Sequence, residues 1–302
     1  LGILPGLPDT RVYFIIFYLI MCSVFVILYY EIFSTALWSS RALKTEAELN
    51  VASNIQRDML PNIFPAFPDR SEFDVYATMD PAKEVGGDFY DFFMIDQTHL
   101  AVVIADVSGK GVPAALFMVI AKTIIRNQAQ SSLSPAEIFT RANEQLCENN
   151  GEGLFVTAYL GILDLRTGVL TYANAGHNPP LIQQSGGRFE WLKLRPGFVL
   201  AGMEGMRYKE FQVTLKPGDC LFLYTDGVTE ATNAALELYG EKRLEAVLNS
   251  DAAQGLAPDQ LLPYLKSQVD LFAAGAPQAD DITMLGLQFR AYMPSQSKEE
   301  QS

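Results

Sequence analysis

The chain has 302 residues, of which 49% are hydrophobic and 19% charged, with a formal net charge of −13. This acidic balance argues against nucleic acid as a partner, because phosphate backbones are bound by basic patches. The two histidines and three cysteines leave little material for a zinc site or a disulfide framework.

The first predicted element is an apolar helix. Residues 12–30 form a run of 19 residues without a charge, which as a helix would span about 28 Å, close to the hydrocarbon core of a bilayer. We therefore expect a transmembrane helix over residues 12–38 rather than a buried core helix or a cleaved signal peptide. Arg41 and Lys44 place its C-terminal side in the cytoplasm. Because the chain does not begin with Met, we expect residues 1–11 to be the end of a longer N-terminal region.

A second helix is predicted to link this span to a soluble domain. Residues 39–61 contain good helix formers and neither Pro nor Gly before the last position. Within them, residues 42–60 carry a thin heptad seam, which could pair two copies as a homodimer or pack on its own domain. Three prolines then mark the boundary of a domain expected at 66–290, followed by a disordered tail at 291–302.

The domain expected at 66–290 consists of short apolar runs separated by Gly, Asp and Asn. Strands are predicted at residues 74–79, 89–95, 100–105, 155–163, 169–174, 211–215, 220–224 and 282–289. Helices are predicted at residues 112–128, 135–148 and 258–274. Several strands follow one another without a helix between them, which favours antiparallel sheets with helices outside and an α+β fold.

Four acidic stretches stand beside these strands. They are GGDFYD around Asp88, ADVSGKG around Asp106, YTDGVTEA around Asp226, and DDIT at Asp280 and Asp281. Carboxylates held at strand ends are the ligands that Mg²⁺ or Mn²⁺ prefers. A single strand followed by Asp-Gly is usually a turn, but the ordered set of four predicts a metal site at one edge of a sheet sandwich.

The ordered motifs resemble a known family. EVGGDFYD, ADVSGKGVPAALFM, FVTAYLGILD, YANAGHNPPLI, LKPGDCLFLYTDGVTEA, GEKRL and DDITML are similar to the PPM-type serine/threonine phosphatases, in the bacterial branch that includes SpoIIE and RsbU. The resemblance covers about residues 50–290. It implies an α-β-β-α sandwich of two antiparallel sheets flanked by helices, with a two-metal site.

The resemblance also implies roles for individual residues. Asp106 would bridge two Mg²⁺ or Mn²⁺ ions, and the carbonyl oxygen of Val107 would hold one of them. Asp226 and Asp280 would ligate the other ion, and Asp88 would support the site directly or through water. Asp106 and Asp226 are the carboxylates on which catalysis is expected to depend most.

Other residues near these motifs are assigned less directly. Asp91 and Asp281 could either support the ligands from behind or face solvent. Ser108 stands where eukaryotic relatives carry a histidine suggested to protonate the leaving group, so that proton would come from water or from an unnamed group. His177 could be an alternative acid, but its turn setting favours a role in stabilising that turn.

The function implied is hydrolysis of phosphoserine or phosphothreonine by a water that the metal ions activate, without a covalent intermediate. The substrate would be a phosphorylated STAS-type anti-sigma-factor antagonist, and the enzyme would be tethered to a bacterial cell membrane with its phosphatase domain in the cytoplasm. The alternatives are a catalytically silent scaffold of the same fold and a two-metal cyclase or nuclease. The presence of all the carboxylates expected as ligands favours the enzyme.

Overall fold

The computed structural model describes residues 10–148, 150–184, 186–193 and 195–291. The expected N-terminal stretch 1–11 and the expected tail 291–302 fall almost wholly outside these residues. The chain divides into two units, residues 1–52 and residues 53–302.

One long helix covers both predicted N-terminal helices. Helix α1 (Thr10–Met59) has 50 residues, and no residue of its apolar window is buried. By length and composition this window is able to cross a membrane. The last turns of α1, from Ser53 onward, belong to the second unit.

The second unit is built on two five-stranded antiparallel sheets. Its strands are β1 (Phe73–Asp80), β2 (Phe89–Met94), β3 (His99–Val107), β4 (Val156–Asp164), β5 (Val169–Ala175), β6 (Leu181–Gln183), β7 (Phe189–Trp191), β8 (Glu210–Thr214), β9 (Cys220–Tyr224) and β10 (Ile282–Phe289). All eight predicted strands are present. The short strands β6 and β7 were missed, because three residues are too few to show a period of two.

Helices cover the outer face of each sheet. Helices α2 (Val112–Ala129) and α3 (Pro135–Glu148) pack on the sheet with strand order β2-β3-β4-β5-β8. Helices α5 (Gly240–Leu248) and α6 (Pro258–Ala273) pack on the sheet with order β1-β10-β9-β6-β7, while the five-residue helix α4 (Asp226–Glu230) follows β9. Apolar side chains of both sheets meet in a common core. The predicted α-β-β-α sandwich of antiparallel sheets is confirmed.

Strand pairing brings the acidic stretches together. Phe89 pairs with Ala105 across β2 and β3, so Asp88 lies next to the end of β3 that carries Asp106. Tyr224 pairs with Met284 across β9 and β10, which sets the residues after β9 beside those before β10. The acidic stretches therefore lie at one end of the sandwich, two on each sheet.

Candidate metal centre

Asp88 lies at the bottom of the acidic end, with only 2% of its surface exposed. Its Oδ2 accepts hydrogen bonds from the hydroxyl groups of Thr225 at 2.7 Å and Thr283 at 2.6 Å. Burial raises the pKa of Asp88 well above its ordinary value, and the negative charges of Asp106 and Asp281 raise it further. The two hydroxyl groups oppose this rise because they stabilise the ionised form.

Asp281 is held by main-chain donors on the loop before β2. Its Oδ2 accepts from the N–H of Gly87 at 2.8 Å and of Asp88 at 3.4 Å, and its Oδ1 accepts from the N–H of Ala82 at 2.8 Å. A Cβ atom on Gly86 would collide with the same carboxylate. The absence of a side chain at Gly86 therefore allows the loop before β2 to close over Asp281.

Asp106 and Asp226 supply most of the remaining negative charge. Burial raises the pKa of Asp106 to about 7, with further contributions from Asp226, Asp280 and Asp281, while a hydrogen bond with Asp88 opposes the rise. Burial also raises the pKa of Asp226, as do the charges of nearby carboxylates. Carboxylates that repel one another in a partly buried site are stabilised by a bound cation.

Lys110 provides a cation from within the chain. Its Nζ lies 2.8 Å from Oδ2 of Asp280 and donates to the carbonyl oxygen of Ala279 at 2.7 Å. The bond to Asp280 raises the pKa of Lys110. This lysine, in the SGKG turn after β3, was not singled out from the sequence. A basic residue directly after a ligand motif is the signal that could have identified it.

The donor set suits a hard divalent cation, because it consists of carboxylate and carbonyl oxygens. Within the described ranges, however, no three Asp, Glu, His or Cys side chains already form a closed ligand set. Two of the candidate carboxylates are engaged by other groups, Asp280 by Lys110 and Asp281 by main-chain N–H groups. Carboxylate and carbonyl oxygens of this kind would suit a divalent ion, with Lys110 as a competing cation at Asp280.

The carbonyl oxygen of Val107 lies close to the loop before β2, since a Cβ on Gly87 would come within 2.8 Å of it. The next residue, Ser108, holds the turn in place. Its N–H donates to the carbonyl oxygen of Phe155 and its Oγ accepts from the N–H of Phe155, both at 2.9 Å. Ser108 is thus engaged with the residue directly before β4.

The carboxylate of Asp91 contacts α2 and not the other carboxylates of the acidic end. It is 1% exposed, and its carboxylate is 2.9 Å from Lys122 Nζ and from Arg126 Nη1, both on α2. The guanidinium of Arg126 also lies over the ring of Phe93 at 4.4 Å. These contacts give Asp91 a visible structural task, which is to fasten α2 to the sheet.

His177 lies in the predicted turn and is buried. Its N–H donates to Oδ1 of Asn174 and its carbonyl oxygen accepts from Nδ2 of the same residue, both at 2.9 Å. Its Nδ1 is 2.9 Å from Thr157 Oγ1. Burial lowers the pKa of His177 to about 4, which the main chain of Tyr224 partly opposes. A neutral, enclosed imidazole is poorly suited to protonate a leaving group near neutral pH.

Comparison with known proteins identifies the family of the chain. The SpoIIE family profile, stage II sporulation protein E, matches residues 96–290. Protein IcfG of Synechocystis sp. is 30% identical over 267 residues, which cover 80% of this chain and 41% of IcfG. Phosphoserine phosphatase RsbU of Bacillus subtilis is 32% identical over 186 residues, covering 61% of this chain and 54% of RsbU.

Solved structures extend the comparison to the fold. The SiaA-PP2C domain of Pseudomonas aeruginosa matches with a TM-score of 0.70 at 24% identity, covering 82% of this chain and 97% of that domain. The chain spans about half the length, or less, of the two curated relatives above. Because the family profile covers more than half of the chain, the chain belongs to the SpoIIE family of PP2C-type phosphatases.

Proposed function

We propose that this protein is a metal-dependent phosphatase that hydrolyses phosphoserine or phosphothreonine on a signalling protein. The observation that carries the proposal is the convergence of Asp88, Asp106, Asp226, Asp280 and Asp281 at one end of the sandwich, where burial and repulsion raise the pKa of the first three. PP2C-type phosphatases use divalent metals. A cation would stabilise these carboxylates in the ionised form.

Two Mn²⁺ or Mg²⁺ ions would be held by the acidic end. Asp106 would bridge them, with Val107 O on one ion, Asp226 and Asp280 on the other, and Asp88 supporting the site. Bound divalent ions lower the pKa of water and neutralise charge on a phosphoryl group. Lys110, once released from Asp280, would be close enough to the site to bind a phosphoryl oxygen.

The protein residues also control the geometry of the reaction. Thr225 and Thr283 hold the Asp88 carboxylate in one orientation. The N–H groups of Gly87 and Asp88 do the same for Asp281, which is buried and would support the ligands from behind. Ligands fixed by such contacts hold a metal ion, and therefore its substrate, more closely in the reactive geometry.

For the substrate we propose a small phosphorylated STAS-type anti-sigma-factor antagonist. The support is similarity to RsbU, which is named a phosphoserine phosphatase. We further propose that α1 anchors the protein in a bacterial cell membrane, with the catalytic unit in the cytoplasm, because its apolar window is long enough to span. A homodimer through residues 39–61 completes the proposal, and sedimentation of fragments with and without these residues tests it.

The decisive experiment measures phosphate release from a phosphorylated STAS-domain protein, with the whole chain in lipid nanodiscs and Mn²⁺ supplied. We expect release that EDTA stops and that Asp106→Asn and Asp226→Asn abolish. Asp251→Asn, at an exposed position outside the site, is the matched control and should remain active. Binding of the phosphoprotein without any release would instead identify a silent scaffold.

A further inference from the structure

His177 is a buried histidine that the reaction proposed above does not use. It is 4% exposed, and within the described ranges its Nε2 makes no hydrogen bond of ordinary geometry. A buried ring nitrogen without a full hydrogen bond costs stability. Packing alone therefore does not explain a histidine at this position.

The turn after β5 fixes the position of the ring. The N–H and the carbonyl oxygen of His177 are both bonded to the side chain of Asn174, at 2.9 Å each, and Asn174 is itself buried. Gly176, directly before His177, forms a bridge with Ala158 on β4. The turn therefore holds the imidazole beside β4 in one orientation.

The ring contacts β4 at the residue opposite a candidate ligand. Nδ1 of His177 is 2.9 Å from Oγ1 of Thr157, and Thr157 pairs with Asp106 across β3 and β4. Side chains of directly opposed residues share one face of a sheet, with Cβ atoms about 5 Å apart. The Thr157 hydroxyl therefore lies on the same face as Asp106, the residue proposed to bridge the two ions.

The ring also reaches β9 of the other sheet. Burial lowers the pKa of His177, and the main-chain carbonyl oxygen of Tyr224 partly opposes this as a hydrogen-bond acceptor. Tyr224 is the last residue of β9 and is followed by Thr225, which donates to Asp88, and by Asp226. A shift of the main chain at Tyr224 would therefore move one candidate ligand and the support of another.

His177 thus contacts both sheets at the end where the carboxylates lie. The negative charges of Asp106, on one sheet, and Asp226, beside the other, repel each other. Without a bound cation this repulsion pushes the two sheets apart at that end. A side chain that contacts both sheets opposes such a separation.

We propose that His177 is a positioning residue for the metal centre: by connecting Thr157 on one sheet with the main chain of Tyr224 on the other, it fixes the spacing between Asp106 and Asp226 and so sets the affinity for the divalent ion. This inference rests on the metal-dependent function proposed above. Residues that orient ligands from outside typically change metal affinity by about 10- to 100-fold when replaced.

The test is a double-mutant cycle on Mn²⁺ affinity, measured by calorimetry with the whole chain in lipid nanodiscs. Thr157→Val nearly keeps the volume of the side chain but removes the hydroxyl. His177→Gln keeps a polar group near the position of Nε2 and removes the one that meets Thr157. Thr214→Val, the same change at an exposed position of the same sheet, is the control.

We expect each single variant to bind Mn²⁺ about tenfold more weakly than the wild-type protein. Because both changes break the same contact, the double variant should also be about tenfold weaker, and not about a hundredfold. Thr214→Val should match the wild-type protein. If His177→Gln does not fold, as judged by near-ultraviolet circular dichroism, the affinity of Thr157→Val decides the question.

Wild-type Mn²⁺ affinity in folded Thr157→Val and His177→Gln would overturn the inference. Strictly additive effects in the double variant would overturn it as well, because the two residues would then act independently. Calorimetry does not depend on turnover, so the two proposals fail separately. A wild-type protein that binds Mn²⁺ but releases no phosphate would end the proposed function and leave the role of His177 standing.

Discussion

Replacing Asp106 by asparagine should stabilise the metal-free protein while abolishing metal binding. Asp106 is surrounded by other carboxylates, and burial together with the charges of Asp226, Asp280 and Asp281 raises its pKa to about 7. Asparagine has nearly the same shape but carries no charge. The substitution therefore removes a repulsion that only a bound cation would otherwise relieve.

The pKa of Asp106 provides the magnitude. A rise from 3.8 to about 7 corresponds to about 4 kcal/mol, at about 1.4 kcal/mol per pH unit. Because the folded protein binds more protons than the unfolded chain between these values, its stability falls as pH rises through this window. Burying an amide offsets part of the gain, so we expect an increase in the free energy of unfolding of about 2 kcal/mol near pH 7.

Urea denaturation of residues 53–302 in EDTA, followed by tryptophan fluorescence, measures the change. These residues form a compact unit with its own cores. Asp251→Asn serves as the exposed control and should leave the midpoint unchanged. The gain for Asp106→Asn should shrink by more than half near pH 5, where the wild-type carboxyl is mostly protonated in the folded state. An Asp106→Asn protein no more stable than wild type near pH 7 would refute this reasoning.

Three further outcomes follow from the contacts. Asp91→Asn should lower the free energy of unfolding by about 2 kcal/mol, because Lys122 and Arg126 on α2 lose a buried anionic partner. Calorimetry should show unchanged Mn²⁺ affinity. Thr283→Val removes a donor to the Asp88 carboxylate, which raises the pKa of Asp88, so the pH profile of phosphate release should move to higher pH. His177→Gln should weaken the loss of stability as pH falls, because burial holds the His177 pKa near 4 in place of 6.5. In the wild-type protein the free energy of unfolding should therefore fall by about 3 kcal/mol as the pH drops from 6.5 to about 4, where the unfolded chain protonates His177 first.

Each of these outcomes has a control and a contrary result. Asp74→Asn, in the surface pair with Arg290, should cost less than about 1 kcal/mol. A tenfold loss of Mn²⁺ affinity in Asp91→Asn would instead place Asp91 in the metal centre. Thr214→Val, exposed on β8, should leave the pH profile in place. Equal acid sensitivity of His177→Gln and wild type would remove His177 as its cause.

Much of the fold could be read from local patterns. Strand β3 contains the apolar run 100–105 directly before Asp106, and the mainly apolar β10 begins directly after Asp281. Helices α2, α3 and α6 have clear starts, with Pro in the first turn. Strands β6 and β7 and helix α5 could not be predicted from local patterns, because short elements show too little periodicity. Their places are decided by pairing and packing with β9 and α6.

The candidate site divides in the same way. The carboxylates at 88, 106, 226, 280 and 281 stand in recognisable motifs, and pairing across β2–β3 and β9–β10 explains why they meet. The groups that restrain them were not recognised as part of the site. Thr283 stands in the DDIT motif and Thr157 in FVTAYLGILD, and neither was given a role. Asp91 was left open between supporting the ligands and facing solvent, and its pairing with Lys122 and Arg126 on α2 was not foreseen.

The sequence by itself indicated the family, the α-β-β-α class, the apolar N-terminal helix and four carboxylates of the acidic end, at residues 88, 106, 226 and 280. These depend on residue type, order and local periodicity, all of which are properties of the chain before it folds. Only the tertiary structure decided that Lys122 and Arg126 neutralise Asp91, that Lys110 binds Asp280, and that His177 contacts Thr157. The physical reason is that neutralising or holding a charge depends on distances between residues far apart in sequence, which only sheet pairing and helix packing establish.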